Sequence, residues 1–303
     1  MDQSEPLSRG LWGVLATPFS EGAREVDEAS LARLVQDQLE ADAVGLVVLG
    51  VFGEGARLDT DERMHVLKTV RREAADTPLV VGISELQTDA AVTVSTQLLT
   101  ALSGSSTPTT LMIQVPTDDS ADLARHLRAV HDATGAGIVV QDYPISSGVT
   151  VSSEVLLSAV AQCPFVVAVK SEAPPTSVAV AELAAGMRTP VFGGLGGLGL
   201  LDELMAGAAG AMTGFSHPGV LGAVLRAWDA SGYEQARATY LPWLPLVNFE
   251  AQVTVGLAIR KAALRERGVI ANADVRRPGM AMPDTLLPLL RRHMAAAREE
   301  VLA

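Results

Sequence analysis

Short apolar runs rich in β-branched residues alternate along this sequence with longer segments of helical periodicity. Eight of the runs have the length and composition of strands, and they cover residues 11–18, 44–50, 78–83, 110–116, 137–144, 164–170, 190–194 and 210–215. Near-continuous apolar strands flanked by helices are typical of a parallel sheet whose outer face is covered. Eight such units in sequence indicate an α/β fold, a (β/α)8 or TIM barrel, rather than an open sheet.

The segments between the strands have the periodicity and the start signals of helices. They include residues 27–42, 60–74, 120–135, 152–162 and 175–187. Asp27, Thr60 and Ser152 precede such segments at about the offset expected of helix starts. After residue 216 only helical patterns follow, with no low-complexity linker. We therefore predict a barrel over residues 1–230 and a C-terminal helical region, residues 231–303, packed on it.

The composition restricts the class of protein. With 303 residues and 48% hydrophobic content the chain can bury a large core, and its formal net charge of −12 disfavours nucleic acid as a partner. Cys163 is the one cysteine, which excludes a disulfide framework and a cysteine-based metal cluster. The first ten residues lack the order of a signal peptide, and no apolar run is long enough to span a membrane. We expect a cytoplasmic protein without membrane contact.

The sixth apolar run, in CPFVVAVKSEAPP at 163–175, leads directly into a charged residue, Lys170. Catalytic residues of such barrels project from the carboxyl ends of the strands, where Lys170 is predicted to lie. Shielding from water disfavours the ammonium form, so more free amine is available to attack a ketone and form a Schiff base. The alternative is a lysine that only reaches the rim or pairs with Glu172. Its position in an eight-unit barrel favours catalysis.

Several motifs occur in a fixed order along the chain. They are ATPF at 16–19, VGLVVLGVFGEGARLDTDER at 44–63, FVVAVKSE at 165–172, GAAGAMTGF at 207–215 and VGLAIRKAALRERG at 255–268. Together they resemble the dihydrodipicolinate synthase/N-acetylneuraminate lyase family over nearly the whole chain. The resemblance implies a Schiff-base lysine at Lys170, a 2-keto acid such as pyruvate as the electrophile, no cofactor, and a homo-oligomer, either a dimer or the common homotetramer.

The family's carboxylate-binding loop is similar to Gly50, Val51, Phe52, Gly53 and Glu54 of this chain. Members typically carry two hydroxyl residues in that loop, and here Val51 and Phe52 take their places. Backbone N–H groups of the loop remain suited to hold an anion. The resemblance therefore implies a substrate-binding loop that has lost its side-chain donors.

Further departures concern proton transfer. The tyrosine that family members carry three residues before a proline on the fifth strand corresponds to Gln141, and an amide is no ordinary acid or base. A tyrosine pair after the fourth strand is replaced by Thr117 and Asp118, and the synthase's substrate-binding arginine aligns with Ser146 or a neighbouring residue. Dihydrodipicolinate synthase activity itself is therefore not expected.

Two residues are candidates to replace the missing tyrosine. Strand residues two apart face the same side, so Glu172 is predicted to share the mouth with Lys170 as an acid/base. The alternative, a salt bridge that only keeps Lys170 protonated, is equally open. Tyr143 follows Gln141 by two residues and offers a phenol on the same face, or it packs at the rim. Asp142 is expected to point the other way.

A glycine-rich stretch, GGLGGLG at 193–199, follows the seventh strand. It contains a formal G-x-G-x-x-G from Gly194 to Gly199, but the next strand, ending at GAMTGFSH, has no carboxylate to complete a dinucleotide fingerprint. We interpret Gly194 as part of an anion-binding loop, with a tight packed turn as the alternative. His217 follows the eighth strand beside Pro218 and is a candidate substrate-binding residue or a structural one. No histidine–carboxylate cluster predicts a metal site.

These observations favour a class I lyase of the aldolase or dehydratase kind. In this hypothesis Lys170 forms an imine with a 2-keto acid, the Gly50–Glu54 loop holds the carboxylate, and Glu172 or Tyr143 moves protons. Gln141 binds the substrate or a water. A non-catalytic barrel that binds a keto acid or regulates a partner is the alternative. A nicotinamide oxidoreductase that uses the glycine loop is a third interpretation.

Overall fold

The computed structural model describes residues 5–102, 107 and 109–302, with side chains through residue 297. Eight parallel strands close a barrel in chain order, with β8 pairing back to β1. Their bounds are β1 Gly10–Val14, β2 Gly45–Val48, β3 Leu79–Ile83, β4 Thr109–Gln114, β5 Ile138–Asp142, β6 Val166–Ser171, β7 Val191–Gly193 and β8 Gly210–Thr213. The predicted (β/α)8 barrel is confirmed.

Several strands are shorter than the apolar runs that predict them. Leu15 and Ala16 extend the first run past β1, and both are buried in loop structure at 2% and 1% exposure. At the fifth run, Tyr143 and Pro144 follow β5 as the start of a short helix rather than as strand. An apolar run shows that its residues are buried, but it does not show that they form a strand. At the barrel mouth, some of the buried residues belong to loops.

Helices cover the outside of the barrel and continue beyond it. Their bounds are α1 Glu28–Glu40, α2 Thr60–Ala74, α3 Thr88–Ala101, α4 Ser120–Thr134, α5 Pro144–Ser147, α6 Ser153–Ala161, α7 Thr176–Gly186, α8 Leu200–Met205, α9 Pro218–Ser231, α10 Tyr233–Tyr240, α11 Leu244–Glu250, α12 Gly256–Glu266 and α13 Leu287–Leu302. Asp27 and Ser152 cap α1 and α6 through their side chains. At α2 the cap is Asp59, which forms a reciprocal capping box with Glu62, and Thr60 is the first helical residue.

The barrel interior is filled by apolar side chains from all eight strands. This cluster consists of Trp12, Val14, Val47, Val80, Met112, Val139, Val167, Ala168, Phe192, Ala209 and Met212. The rings of Trp12 and Phe192 meet edge to face with centroids 6.5 Å apart. A packed interior leaves polar side chains room only at the carboxyl ends of the strands.

The helices after α9 pack against the barrel through a second apolar cluster. It joins Leu11 and Phe215 of the barrel to Tyr240, Ile259 and Leu290 of the C-terminal helices. As a consequence, side chains of α12 reach the loops at the barrel mouth. Among the residues described, none of the helices is long and apolar enough to cross a membrane.

Candidate active site

Three polar side chains meet inside the barrel mouth at the ends of β5 and β6. Gln141 and Lys170 are paired in the strand register, and Glu172 follows Lys170 by two residues. Lys170 Nζ lies 3.0 Å from Glu172 Oε2, with 7% of each side chain exposed. Gln141 Nε2 donates to the same oxygen at 2.7 Å. The structure thus brings together three residues that the sequence predicts as catalytic.

The loop after β7 supports the Glu172 carboxylate from the other side. The backbone N–H of Leu195 donates to Glu172 Oε1 at 3.2 Å. A Cβ atom at Gly194 would lie 2.2 Å from that oxygen, so only glycine leaves space for the carboxylate there. Gly194 therefore contacts the predicted acid/base rather than an open anion site. The formal dinucleotide motif forms a 3-10 turn at Leu195–Gly197 and ends at Gly199, directly before the short helix α8.

Tyr143 stands just beyond β5, half-buried at the start of α5. Burial raises the pKa of its phenol, the negative charge of Glu172 raises it further, and the positive charge of Arg260 lowers it. A phenol with a raised pKa keeps its proton at neutral pH and can donate a hydrogen bond, but it is a poor base.

Asp142 lies between Gln141 and Tyr143, on the opposite face of β5 by strand alternation. Its side chain is buried, with 2% of the residue exposed. Burial raises the pKa of its carboxyl to about 6, with the charge of Glu172 as a second cause. The backbone carbonyl of Asp142 accepts from the N–H of Glu172 at 2.8 Å, so the residue helps to hold the strand end.

The loop after β2 contains backbone donors without protein acceptors in the described part of the chain. Among the described residues, the N–H groups of Val51 and Phe52 donate to no protein acceptor. Gly53 is fixed because Thr17 Oγ1 donates to its carbonyl at 2.6 Å, and the N–H of Gly55 donates to the carbonyl of Gly50 at 3.2 Å. Val51 and Phe52 add no side-chain donor, so anion binding here depends on the backbone alone.

Sequence reasoning missed two side chains near this mouth. Gln114 is the register partner of Gln141, and strand alternation from Met112 was a signal that could have found it. Arg260 projects from α12, and its guanidinium carbon lies 5.6 Å from the centre of the Phe52 ring. No local pattern marks Arg260, because which helical residue reaches the barrel depends on how α12 packs.

His217 is buried at the start of α9, beyond β8. Its Nδ1 lies 2.9 Å from Ser216 Oγ, and its ring centre is 4.9 Å from that of Trp243. Ser216 also donates from its N–H to Glu250 Oε2 at 3.2 Å. The histidine is therefore bound into a polar cluster beside the mouth, and a substrate-binding role for it stays a prediction.

Thr117, Asp118 and Ser146, which replace other polar groups of the family, lie beyond the ends of β4 and β5. Thr117 Oγ1 accepts from the N–H of Asp119 at 3.2 Å, just before α4. Asp118 and Ser146 are exposed. Within the described ranges, no group of three histidine, cysteine, aspartate or glutamate side chains is placed to hold a metal ion.

Comparisons with known proteins agree with this geometry. The sequence matches the dihydrodipicolinate synthetase family over residues 7–296. L-2-keto-3-deoxyarabonate dehydratase of Azospirillum brasilense is 33% identical over 296 residues, or 95% of this chain and 94% of that protein. 4-Hydroxy-tetrahydrodipicolinate synthase of Kineococcus radiotolerans is 30% identical over 288 residues, or 93% and 88%. The crystal structure of dihydrodipicolinate synthase from Rhodopseudomonas palustris has a TM-score of 0.87 at 27% identity, covering 97% of this chain and 100% of that one.

Proposed function

Because the chain belongs to the dihydrodipicolinate synthetase family, we propose that it is a dehydratase of 2-keto-3-deoxy sugar acids. The protein is a lyase of this family, and members act through Schiff-base chemistry. The relative from Azospirillum brasilense is named for the dehydration of such an acid. The finer assignment of reaction and of residue roles is the proposal developed below.

The observation that carries the proposal is the contact between Glu172 and Lys170 at 3.0 Å, with 7% of each side chain exposed. An imine and an acid/base must lie next to each other for proton transfer at the carbon beside the imine. Glu172 is the ionisable group in that place, since Gln141 cannot titrate. The amide instead orients the carboxylate through its 2.7 Å hydrogen bond.

In the first step, the Lys170 amine attacks the C2 ketone of the substrate, and water leaves as the imine forms. Glu172 gives a proton to the departing oxygen in its acid form. The C1 carboxylate accepts hydrogen bonds from the N–H groups of Val51 and Phe52, which have no protein acceptor of their own among the described residues. Such positioning places C3 toward the strand end that carries Glu172.

In the second step, the Glu172 carboxylate removes a proton from C3, and the electrons of that bond move into the imine to give an enamine. The enamine then expels the C4 hydroxyl, which takes the proton back from Glu172 and leaves as water. Hydrolysis of the conjugated imine releases the unsaturated keto acid and restores the amine of Lys170. One water is lost from the substrate, and the water used in hydrolysis balances the one released when the imine formed.

Two measurements test the proposal in sequence. Intact mass spectrometry after incubation with pyruvate and borohydride should show a reduced adduct that is absent from Lys170→Ala. Incubation with 2-keto-3-deoxyarabonate should then give a product 18 Da lighter. Release of pyruvate and an aldehyde would instead establish an aldolase and overturn the dehydratase assignment, and the absence of any adduct would overturn the imine itself.

The same proposal includes finer statements about assembly and location. Family resemblance supports a homotetramer, or at least a dimer, and a cytoplasmic location. Size-exclusion chromatography with light scattering tests the assembly, and a monomeric mass would contradict it. Dihydrodipicolinate synthase activity is not proposed, because Gln141 and Val51 replace groups that the synthase uses.

A further inference from the structure

Arg260 brings a positive charge from the C-terminal helices to the barrel mouth. Its side chain keeps 15% exposure. The guanidinium lies over the Phe52 ring of the loop after β2, and its charge acts on both Tyr143 and Glu172. Phe52, Tyr143 and Glu172, which follow β2, β5 and β6, thus lie around the guanidinium of Arg260.

A glycine in the loop after β7 makes room for this guanidinium. A Cβ atom at Gly196 would lie 2.1 Å from Arg260 Nη2, just as a Cβ atom at Gly194 would lie 2.2 Å from Glu172 Oε1. The Cα atoms of two residues this close in sequence are at most about 7 Å apart. Arg260 and Glu172 therefore lie along the same short loop, within the length of one sugar acid of each other.

The charge of Arg260 is only partly offset by the protein. Its Nε lies 3.6 Å from Glu250 Oε2, too far for a hydrogen bond, and within the described part of the chain this Nε has no hydrogen-bond partner. Glu250 also accepts from the N–H and hydroxyl of Ser216. Burial raises the pKa of Glu250 to about 7, against the lowering effects of the Arg260 charge and of the hydrogen bonds from Ser216.

A buried guanidinium with unused donors is matched best by a carboxylate, which accepts two parallel hydrogen bonds. The C1 carboxylate is assigned to the backbone donors after β2, and Glu172 acts at C3. Lys170 Nζ contacts Oε2 of Glu172, whereas the loop after β7, against which Arg260 packs, contacts Oε1. The far end of a substrate held on Lys170 would reach Arg260 on that Oε1 side.

We propose that Arg260 is a substrate-binding residue that selects a second carboxylate at the far end of the substrate. The preferred substrates are then 2-keto-3-deoxy diacids rather than monoacids. The inference rests on the proposed function, because it takes the imine on Lys170 as the fixed end of the substrate.

The test uses borohydride trapping with keto acids of matched length, so it does not depend on dehydration. The probes are 2-oxoadipate against 2-oxohexanoate and 2-oxoglutarate against 2-oxopentanoate. We expect half-maximal trapping of the better diacid at a concentration at least tenfold below that of its monoacid. Arg260→Gln should abolish this preference and Arg260→Lys should keep part of it. Arg265→Gln removes the same charge from a more exposed position on α12, where the side chain is 41% exposed, and should leave the preference intact.

The outcomes separate the two proposals. Equal trapping of both members of each pair by the wild type, or a preference that survives in Arg260→Gln, would overturn the role of Arg260 while the imine on Lys170 stands. The wild-type comparison decides this even if Arg260→Gln does not fold. Failure to trap any keto acid, pyruvate included, would overturn the proposed function and this inference together.

Discussion

Two buried lysine–glutamate pairs in this protein differ in how many hydrogen-bond partners their charged groups have. Lys261 and Glu54 join α12 to the loop after β2, and neither side chain has any exposed surface. Lys261 Nζ also donates to the carbonyl of Asp274 at 2.9 Å. Glu54 accepts in addition from Arg57 at 3.1 Å and from the N–H of Arg276 at 2.8 Å.

Lys170 and Glu172 are buried less completely and are less fully bonded. Within the part of the chain described here, Glu172 is the one ion-pair or hydrogen-bond partner of Lys170 Nζ, and 7% of the lysine side chain stays exposed. An amine can attack a ketone only if it keeps a free direction of approach and can lose a proton. Burial with every hydrogen bond made stabilises a fold, whereas burial with hydrogen bonds left open permits chemistry.

Replacement of Lys170 should have the largest effect on activity. Lys170→Met should abolish turnover and the borohydride adduct, because no other amine stands at this strand end. The folded state should lose some stability, because Glu172 is left buried without its positive partner, although Gln141 and the N–H of Leu195 still donate to it. Activity assays and thermal unfolding check both. Residual adduct in Lys170→Met would place the imine on another lysine.

Removal of the carboxylate charge should separate imine formation from elimination. Glu172→Gln should still form the adduct with pyruvate, though more slowly because Glu172 also protonates the departing oxygen, while its kcat for dehydration falls by about 10²- to 10⁴-fold because proton transfer at C3 is lost. Single-turnover kinetics and mass spectrometry measure the two steps. The comparison of the two pairs would fail if Glu172→Gln kept normal kcat, since the Lys170–Glu172 pair would then be structural.

Substitution in the Lys261–Glu54 pair should mainly reduce the stability of the folded state. Lys261→Met leaves Glu54 buried without its main partner, and we expect a loss of about 3–5 kcal/mol in the free energy of unfolding. Chemical denaturation measures this loss. The double variant Lys261→Met/Glu54→Leu should recover part of it, because both charges are gone. A single variant as stable as the wild type would show that the pair does not hold α12 in place.

Glu203 is a further buried carboxylate, and its contribution to stability depends on pH. Glu203 on α8 is 1% exposed, and burial raises the pKa of its carboxyl from 4.5 to about 7, an effect that a hydrogen bond from Thr176 opposes. The folded state therefore binds this proton more tightly than the unfolded chain. The resulting stability is fully present below about pH 4.5 and is lost as the pH rises through about 7.

Glu203→Gln should thus melt higher than the wild type at pH 8 and at the same temperature at pH 4. The gain at pH 8 should be on the order of 3 kcal/mol at most, from 1.36 kcal/mol for each pKa unit. Melting temperatures across this pH range measure it, with the exposed Glu182→Gln on α7 as the matched control. An unchanged pH dependence in Glu203→Gln would assign the effect to other groups.

The barrel, the position of Lys170 at a strand end and the face that Glu172 shares with it could all be predicted from the sequence. These features follow from local periodicities: eight apolar runs close a parallel sheet, and residues two apart on a strand point the same way. Gln141 was identified by its place three residues before Pro144, where the family carries a tyrosine, and the strand register of the structure pairs it with Lys170.

Which further groups surround the candidate site depends on contacts between distant segments, which no local pattern shows. The fit of Glu172 against Gly194, the position of Arg260 over Gly196 and the pair between Lys261 and Glu54 all join segments far apart in sequence. Side chains of α12 repeat every 3.6 residues whether or not a barrel lies beneath them. Which side chains of α12 reach the mouth depends on how the helix is rotated about its axis. The shape of the barrel surface that α12 covers sets this rotation.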